Sequence, residues 1–143
     1  YALAGLRIGW GFFTGHIAAE LRKTLNPNNI TLPTLAAARA ALHDQDWMRE
    51  TCAQTAQIRD RFATDLRSLG FDIPQSHTNF TLIPFASAEA AQAADTYLKS
   101  KGLFLRPQGG AGLPHCLRAT TGAQEDMDIA SQLIETSVKR GAV

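Results

Sequence analysis

The sequence opens with YALAGLRIGW, residues 1–10, which places a single charged residue, Arg7, in an apolar, glycine-rich run. The run predicts a buried strand over residues 3–13, and the side chains of a strand alternate between two faces. Leu6, Ile8, Trp10 and Phe12 would lie on one face, and Gly5, Arg7, Gly9 and Gly11 on the other. The glycine face would leave space around the arginine.

Arg7 is the most informative residue of this run, because a buried cation is costly unless an anion pairs with it. A guanidinium flanked by glycines suits a bound phosphate or carboxylate. The alternative is an arginine that pairs with a carboxylate of the protein beneath a closely packed neighbour. The run alone leaves both interpretations open and favours the second.

A second glycine-rich stretch, LRPQGGAGLPHCLRATTG, covers residues 105–122 and carries the arginines Arg106 and Arg118. Its glycines do not form a G-x-G-x-x-G phosphate loop between a strand and a helix. They predict a mobile loop between two strands, because glycine tolerates backbone conformations that other residues avoid. His115 lies in the predicted loop and could approach a substrate.

Both stretches resemble motifs of the fold type I pyridoxal-phosphate (PLP) aminotransferases, above all the histidinol-phosphate aminotransferase family. The first resembles S-K-x-(Y/F)-G-L-A-G-L-R-(I/L)-G-(Y/W), with Ala2 in place of the usual glycine. The second resembles V-R-P-x-x-G-Y-G-L-P-x-x-L-R-I-T-(I/V)-G, with Ala111 in place of the tyrosine. The two motifs occur in the family's order, and the resemblance covers essentially the whole chain.

The resemblance implies roles for four residues. Arg7 would hold the phosphate of PLP. Arg118 would hold the substrate carboxylate, or the phosphate end of histidinol phosphate, and Arg106 would be a second anion contact. Asn29 would correspond to an asparagine near the active site in a P-F-N-V-N segment, where Asn28 replaces the phenylalanine. Asparagine also favours turns for purely structural reasons, so both interpretations of Asn29 stay open.

The lysine of the first motif, which binds PLP covalently in the family, would lie two residues before Tyr1. The lysines of the chain do not occupy that position, so no catalytic residue is expected among them: Lys23, Lys99, Lys101 and Lys139. As a catalytic base His115 is a poor candidate, because the lysine does that work in PLP chemistry. The chain is therefore expected to be the C-terminal part of an enzyme and to be inactive alone.

The resemblance implies that the parent enzyme uses PLP, acts as a homodimer, and moves an amino group between an amino acid-like substrate and a 2-oxoacid. Histidinol phosphate is the expected substrate. Aromatic amino-acid aminotransferases and threonine-phosphate decarboxylases share the motifs and are alternatives. An alternative of another class is a non-catalytic α/β module that binds an anion through its arginines.

Composition narrows the possible partners. The chain has 143 residues, of which 45% are hydrophobic and 19% charged, and this composition suits a globular protein with a real core. A net charge of +1 gives no case for nucleic acid or for an anionic membrane surface. No metal-ligand spacing is present, and Cys52 and Cys116 are expected to be small buried hydrophobes in a reducing cytoplasm.

Hydrophobic periodicity and capping residues predict an α/β fold. Helices are predicted over 14–25, 31–42, 46–69 and 87–102, and after a Thr121–Gln124 capping box. Strands are predicted over 71–73, 79–85, 103–106 and 116–120. The resemblance assigns residues 1–45 to the end of a large PLP domain. It assigns residues 46–143 to a linking helix and a small C-terminal α/β sandwich domain.

Overall fold

The computed structural model describes residues 1–27 and 29–139, and the chain divides into two compact units, Tyr1–Thr51 and Cys52–Val143. The helices are α1 (Gly15–Thr24), α2 (Leu32–His43), α3 (Gln45–Ser68), α4 (Ala88–Ser100) and α5 (Gln124–Lys139). The strands are β1 (Phe80–Pro84), β2 (Arg106–Gln108) and β3 (Leu113–Thr120), and 3-10 turns cover Ala4–Leu6 and Gly109–Ala111. The five predicted helices are confirmed. None of the helices within these ranges is both long and apolar enough to span a membrane.

The strand predicted over residues 3–13 is wrong. Ala4–Leu6 forms a 3-10 turn that ends at Arg7 in the left-handed region, with φ 53°. A strand needs a neighbouring strand to satisfy its N–H and C=O groups, and no described residue of the first unit belongs to one. The predicted alternation of faces is therefore absent, and Trp10 and Phe12 are 86% and 92% exposed.

The turn before Arg7 is tied to α2. Thr31 caps α2 as predicted, because its side chain accepts a hydrogen bond from the Thr34 backbone nitrogen at 3.3 Å. Thr34 is itself buried and donates from its hydroxyl to the Leu6 carbonyl at 3.3 Å. Ala2 has φ 48°, a conformation that favours glycine, which is the residue of the resembled motif at this position.

The end of α3 explains why the strand predicted over residues 71–73 does not form. Gly70, with φ 94°, donates from its backbone nitrogen to the Arg67 carbonyl, and Phe71 donates to the Leu66 carbonyl. This pair of bonds is a Schellman motif, which a glycine at the C′ position makes accessible. The Arg67 guanidinium donates to the Ile73 carbonyl at 2.8 Å and 3.1 Å. The backbone groups of the segment thus close a helix and do not pair in a sheet.

A Schellman motif also ends α4. Ser87 caps its start, accepting from the Ala90 nitrogen at 3.1 Å. At its end Gly102 donates to the Lys99 carbonyl and Leu103 to the Leu98 carbonyl, both at 3.0 Å. Because residue 103 closes the helix, the strand predicted over 103–106 begins only at Arg106.

The second unit is a three-stranded antiparallel sheet in the order β1-β3-β2, with α4 packed on β3. The strands predicted over 79–85 and 116–120 are confirmed as β1 and β3. The core contains residues from α3, β1, α4, β3 and α5, among them Phe62, Leu66, Ile83, Leu98, Leu117 and Ile134. On the strands, Ile83 and Leu117 face the core. Their half-buried neighbours Leu82 and Arg118 face the other side of the sheet, where the site described below lies.

The capping box predicted at Thr121–Gln124 is wrong. The Thr121 hydroxyl is buried and has no hydrogen-bond partner within residues 1–27 and 29–139. The Met127 nitrogen donates to the Ala123 carbonyl, so Ala123 and not Thr121 occupies the N-cap position of α5. Gln124 donates to the Asp128 carboxylate at 2.8 Å. A capping box requires the threonine at the N-cap itself, and here it lies two residues too early.

The two cysteines differ in their environments. Cys116, in β3, is buried as predicted, and burial raises the pKa of its thiol. Cys52 is exposed, contrary to the prediction. The buried residues of α3 lie further along the helix, from Arg59 to Leu66.

We expect Cys116 to react with iodoacetamide at pH 8 only after the protein is unfolded, because a buried thiol with a raised pKa offers little thiolate. Peptide-level mass spectrometry of protein alkylated with and without denaturant measures this. The same peptide from denatured protein is the reference. Equal alkylation rates in the two samples would contradict the burial of Cys116.

Candidate active site

The two arginines of the second motif lie directly opposite each other on neighbouring strands. Arg118 is on the central strand β3, and its Cα partners are Arg106 on β2 and Leu82 on β1. Residues paired in this way in an antiparallel sheet project from the same face. The fold therefore brings together two of the four predicted site residues, although 11 residues separate them in the chain.

This arrangement places two cations side by side. Like charges directly opposite each other destabilise a sheet. Within residues 1–27 and 29–139 neither Arg106 nor Arg118 forms an ion pair. A cavity of about 310 Å³ is lined by both arginines and by the core residues Met127 and Ala130. Asp126 also lines it, and among the described residues no ion pair joins Asp126 to either arginine. The pair is thus suited to bind a carboxylate or a phosphate from outside the chain.

The Arg118 side chain has one well-defined contact. Its Cζ atom lies 4.9 Å from the centroid of the Phe80 ring, which is a cation–π geometry. Its Nε atom is buried and has no hydrogen-bond partner in the described part of the chain. Sequence reasoning did not identify Phe80 as a site residue, because the contact depends on the register between β1 and β3.

Arg7 lies in the first unit and is exposed, so the buried cation assumed in the prediction is not found. Its Nη1 atom donates to the Ala4 carbonyl at 2.9 Å, and its backbone nitrogen donates to the same carbonyl at 3.2 Å. No carboxylate pairs with Arg7 within the described ranges. Its left-handed backbone is of the kind often found at ligand sites.

Asn29 also belongs to the first unit. It is exposed in the segment between α1 and α2, where Thr31 and not Asn29 caps the helix. Asn28, the position that departs from the resembled segment, lies outside the described residues.

His115 is half-buried within β3, so the prediction that it lies in a loop is wrong. The glycines before it form the 3-10 turn Gly109–Ala111, which ends at Gly112 with φ 77°. Among the residues that the structure describes, no group of three or more His, Cys, Asp or Glu side chains could hold a metal ion.

The family model named aminotransferase class I and II matches residues 1–134. The chain belongs to this family. It is 43% identical over 126 residues to the histidinol-phosphate aminotransferase of Jannaschia sp. (strain CCS1), a match that covers 88% of this chain and 35% of that protein. It is 34% identical over 142 residues to histidinol-phosphate aminotransferase 1 of Caulobacter vibrioides, covering 98% of this chain and 40% of that protein.

Solved structures named histidinol-phosphate aminotransferase share the fold. The crystal structure of the histidinol-phosphate aminotransferase from Sinorhizobium meliloti, in complex with pyridoxal-5'-phosphate, matches with a TM-score of 0.86 and 32% identity. That match covers 98% of this chain and 39% of the Sinorhizobium chain. The enzyme from Clostridium acetobutylicum matches with a TM-score of 0.84 at 22% identity. The chain spans roughly 33% to 40% of the length of the curated relatives named histidinol-phosphate aminotransferase.

Proposed function

We propose that this chain is part of a PLP-dependent aminotransferase that moves an amino group between histidinol phosphate and a 2-oxoacid. The observation that carries the proposal is the in-register pair of Arg106 and Arg118 on the sheet face opposite the core. Histidinol phosphate carries a phosphate and a 2-oxoacid carries a carboxylate, and such a pair of arginines can bind either anion. Relatives that are 40% or more identical to this chain bear the name histidinol-phosphate aminotransferase.

Arg118 has the role of orienting the substrate anion, because a guanidinium presents a fork of donors that matches a carboxylate or a phosphate. Arg106 adds a second positive charge beside it. Asn29, an exposed amide of the first unit, is assigned a further polar contact near the substrate. These residues bind and orient, and none of them is assigned a proton transfer.

The residues around Arg7 fit the phosphate of PLP. The guanidinium is exposed, uses one hydrogen bond on its own turn, and has no acidic partner among the described residues. A Cβ atom built on Gly5 or Gly9 would meet nothing within 4 Å, so the backbone beside Arg7 is open to a bound group. We assign Arg7 the role of holding the phosphate. When bound, PLP supplies the electron sink for amino transfer.

The proposal includes a cytoplasmic homodimer. Large apolar side chains of the first unit are exposed, with Trp10 and Phe12 the most exposed of them. Apolar surface of this kind is stabilised when a further part of the protein or a second copy removes it from water. Light scattering of the whole protein measures the assembly, and a monomer at micromolar concentration would contradict the dimer.

A panel of amino donors tests the proposed function. In the whole protein with PLP and 2-oxoglutarate, we expect kcat/KM to be highest for histidinol phosphate, at least about tenfold above phenylalanine. Threonine phosphate should be neither transaminated nor decarboxylated at a comparable rate. Preference for phenylalanine, or release of CO2 from threonine phosphate, would overturn the substrate assignment. Absence of amino transfer with every donor would support a non-catalytic module.

A further inference from the structure

We infer that Phe80 is a positioning residue that holds the Arg118 guanidinium in the orientation in which it binds the substrate anion. The inference rests on the proposed function, because it assigns Phe80 a task only if Arg118 binds substrate. The two residues come from different strands. Phe80 pairs with Thr120, whereas Arg118 pairs with Leu82, so Phe80 and Arg118 are diagonal neighbours on one face.

Diagonal neighbours in an antiparallel pair lie about 7–8 Å apart, a distance that an aromatic ring and an arginine can bridge. The distance of 4.9 Å between the Arg118 Cζ atom and the Phe80 ring centroid falls within the range of a cation–π contact. Such a contact places the ring against the positive charge, and no N–H donor of the Arg118 guanidinium is paired with an acceptor among the described residues. The donors at the edge of the group therefore stay available for a carboxylate or a phosphate.

No other group of the described chain fixes the orientation of the Arg118 guanidinium. No hydrogen bond or ion pair holds the Arg118 side chain within residues 1–27 and 29–139, and its buried Nε atom has no acceptor there. An arginine side chain has several rotatable bonds, and ordering it on binding costs conformational entropy. A ring that orders the side chain before the substrate arrives removes part of this cost.

Hydrogen bonds fix the backbone of Phe80. The Ser76 hydroxyl donates to the Phe80 carbonyl at 2.7 Å, and the Phe80 nitrogen donates to the Thr78 hydroxyl at 3.3 Å. The Thr78 carbonyl accepts from Nη1 of Arg59 at 2.9 Å, and Arg59 is only 8% exposed. A buried arginine and two hydroxyls thus fix the start of β1, which suits a residue that must present its ring in one place.

A mutant cycle in the whole protein tests the inference, with histidinol phosphate and 2-oxoglutarate as substrates. We expect Phe80→Leu to raise both KM values about three- to tenfold while kcat changes less than about twofold. Phe80→Tyr keeps the ring and should stay within about twofold of the unmodified protein. Phe71→Leu is the matched control, because Phe71 packs against Phe85 with ring centroids 5.4 Å apart and does not line the cavity of the two arginines. It should leave both KM values unchanged.

The mutant cycle also needs Arg118→Ala alone and the double variant that carries both Phe80→Leu and Arg118→Ala. If Phe80 acts through Arg118, Phe80→Leu lowers kcat/KM in the presence of Arg118 and has less than about a twofold effect when Arg118→Ala is already in place. An equal effect in both backgrounds, an unchanged KM in Phe80→Leu, or a Phe80→Tyr variant as impaired as Phe80→Leu would overturn the inference. An unchanged KM in Arg118→Ala would instead overturn the proposed role of Arg118, and the inference with it.

Discussion

We expect the replacement of Arg118 by lysine in the whole protein to raise the KM for histidinol phosphate by at least about tenfold, which corresponds to about 1.4 kcal/mol of binding free energy. The reason is geometric. Arg118 presents a planar fork whose Cζ atom lies 4.9 Å from the Phe80 ring centroid. The fork can donate two parallel hydrogen bonds to an anion. A lysine keeps the charge but offers a single point of contact. The loss of substrate affinity in this variant therefore measures the effect of the forked geometry and not that of the charge.

Steady-state kinetics on the purified variants measures this effect. Arg61→Lys is the matched control, because Arg61 is an exposed arginine of the same unit that pairs with Asp128 at 3.2 Å, and exposed pairs contribute little. Its KM should stay within about twofold of the unmodified protein. Unchanged kinetics in Arg118→Lys would remove Arg118 from the substrate site.

Replacing Arg7 by alanine is expected to release PLP from the whole protein during dialysis. Charge-assisted hydrogen bonds contribute about 1.5–3 kcal/mol, so loss of the guanidinium should weaken the Kd for PLP roughly ten- to a hundredfold. The backbone contribution of Arg7 persists in the variant, since its N–H still reaches the Ala4 carbonyl. The change in the Kd for PLP therefore measures the contribution of the Arg7 side chain.

The fraction of PLP that remains after dialysis is read from the absorbance of the cofactor. Arg22→Ala is the control: Arg22 is an exposed arginine of the same unit, in the last turn of α1, with no assigned function. It should keep its PLP. Full retention of PLP in Arg7→Ala would count against the phosphate-binding role.

The helices of this chain could be predicted from sequence because their hydrogen bonds are local. Thr31 and Ser87 cap the starts of α2 and α4, and Gly70 and Gly102 close α3 and α4 in the left-handed conformation. Each of these residues is recognisable from its type and its neighbours alone. The exception is Thr121, whose position two residues before the N-cap of α5 could not be read from the motif.

The strands were harder to predict, because a strand depends on a partner that is distant in sequence. The apolar residues 3–13 have the composition of a strand but no described partner in their unit. Residues 71–73 have a similar composition, yet Phe71 closes α3. Composition therefore indicated where a strand could form, and tertiary pairing determined where one does form.

The candidate site could likewise be predicted only in part. Arg7, Arg106, Arg118 and Asn29 could be selected from the resembled motifs, and their roles remain predictions. The register that sets Arg106 opposite Arg118 and Phe80 diagonal to it could not be derived from spacing in the sequence. The domain boundaries expected at residues 1–45 and 46–143 likewise stay a prediction.

A crystal structure of the whole protein with histidinol phosphate tests the central claim most directly. We predict that the substrate phosphate lies within about 3 Å of the Arg118 guanidinium, with Arg106 beside it and the guanidinium still in contact with the Phe80 ring. A phosphate bound elsewhere, with both arginines turned toward carboxylates of the protein, would contradict it.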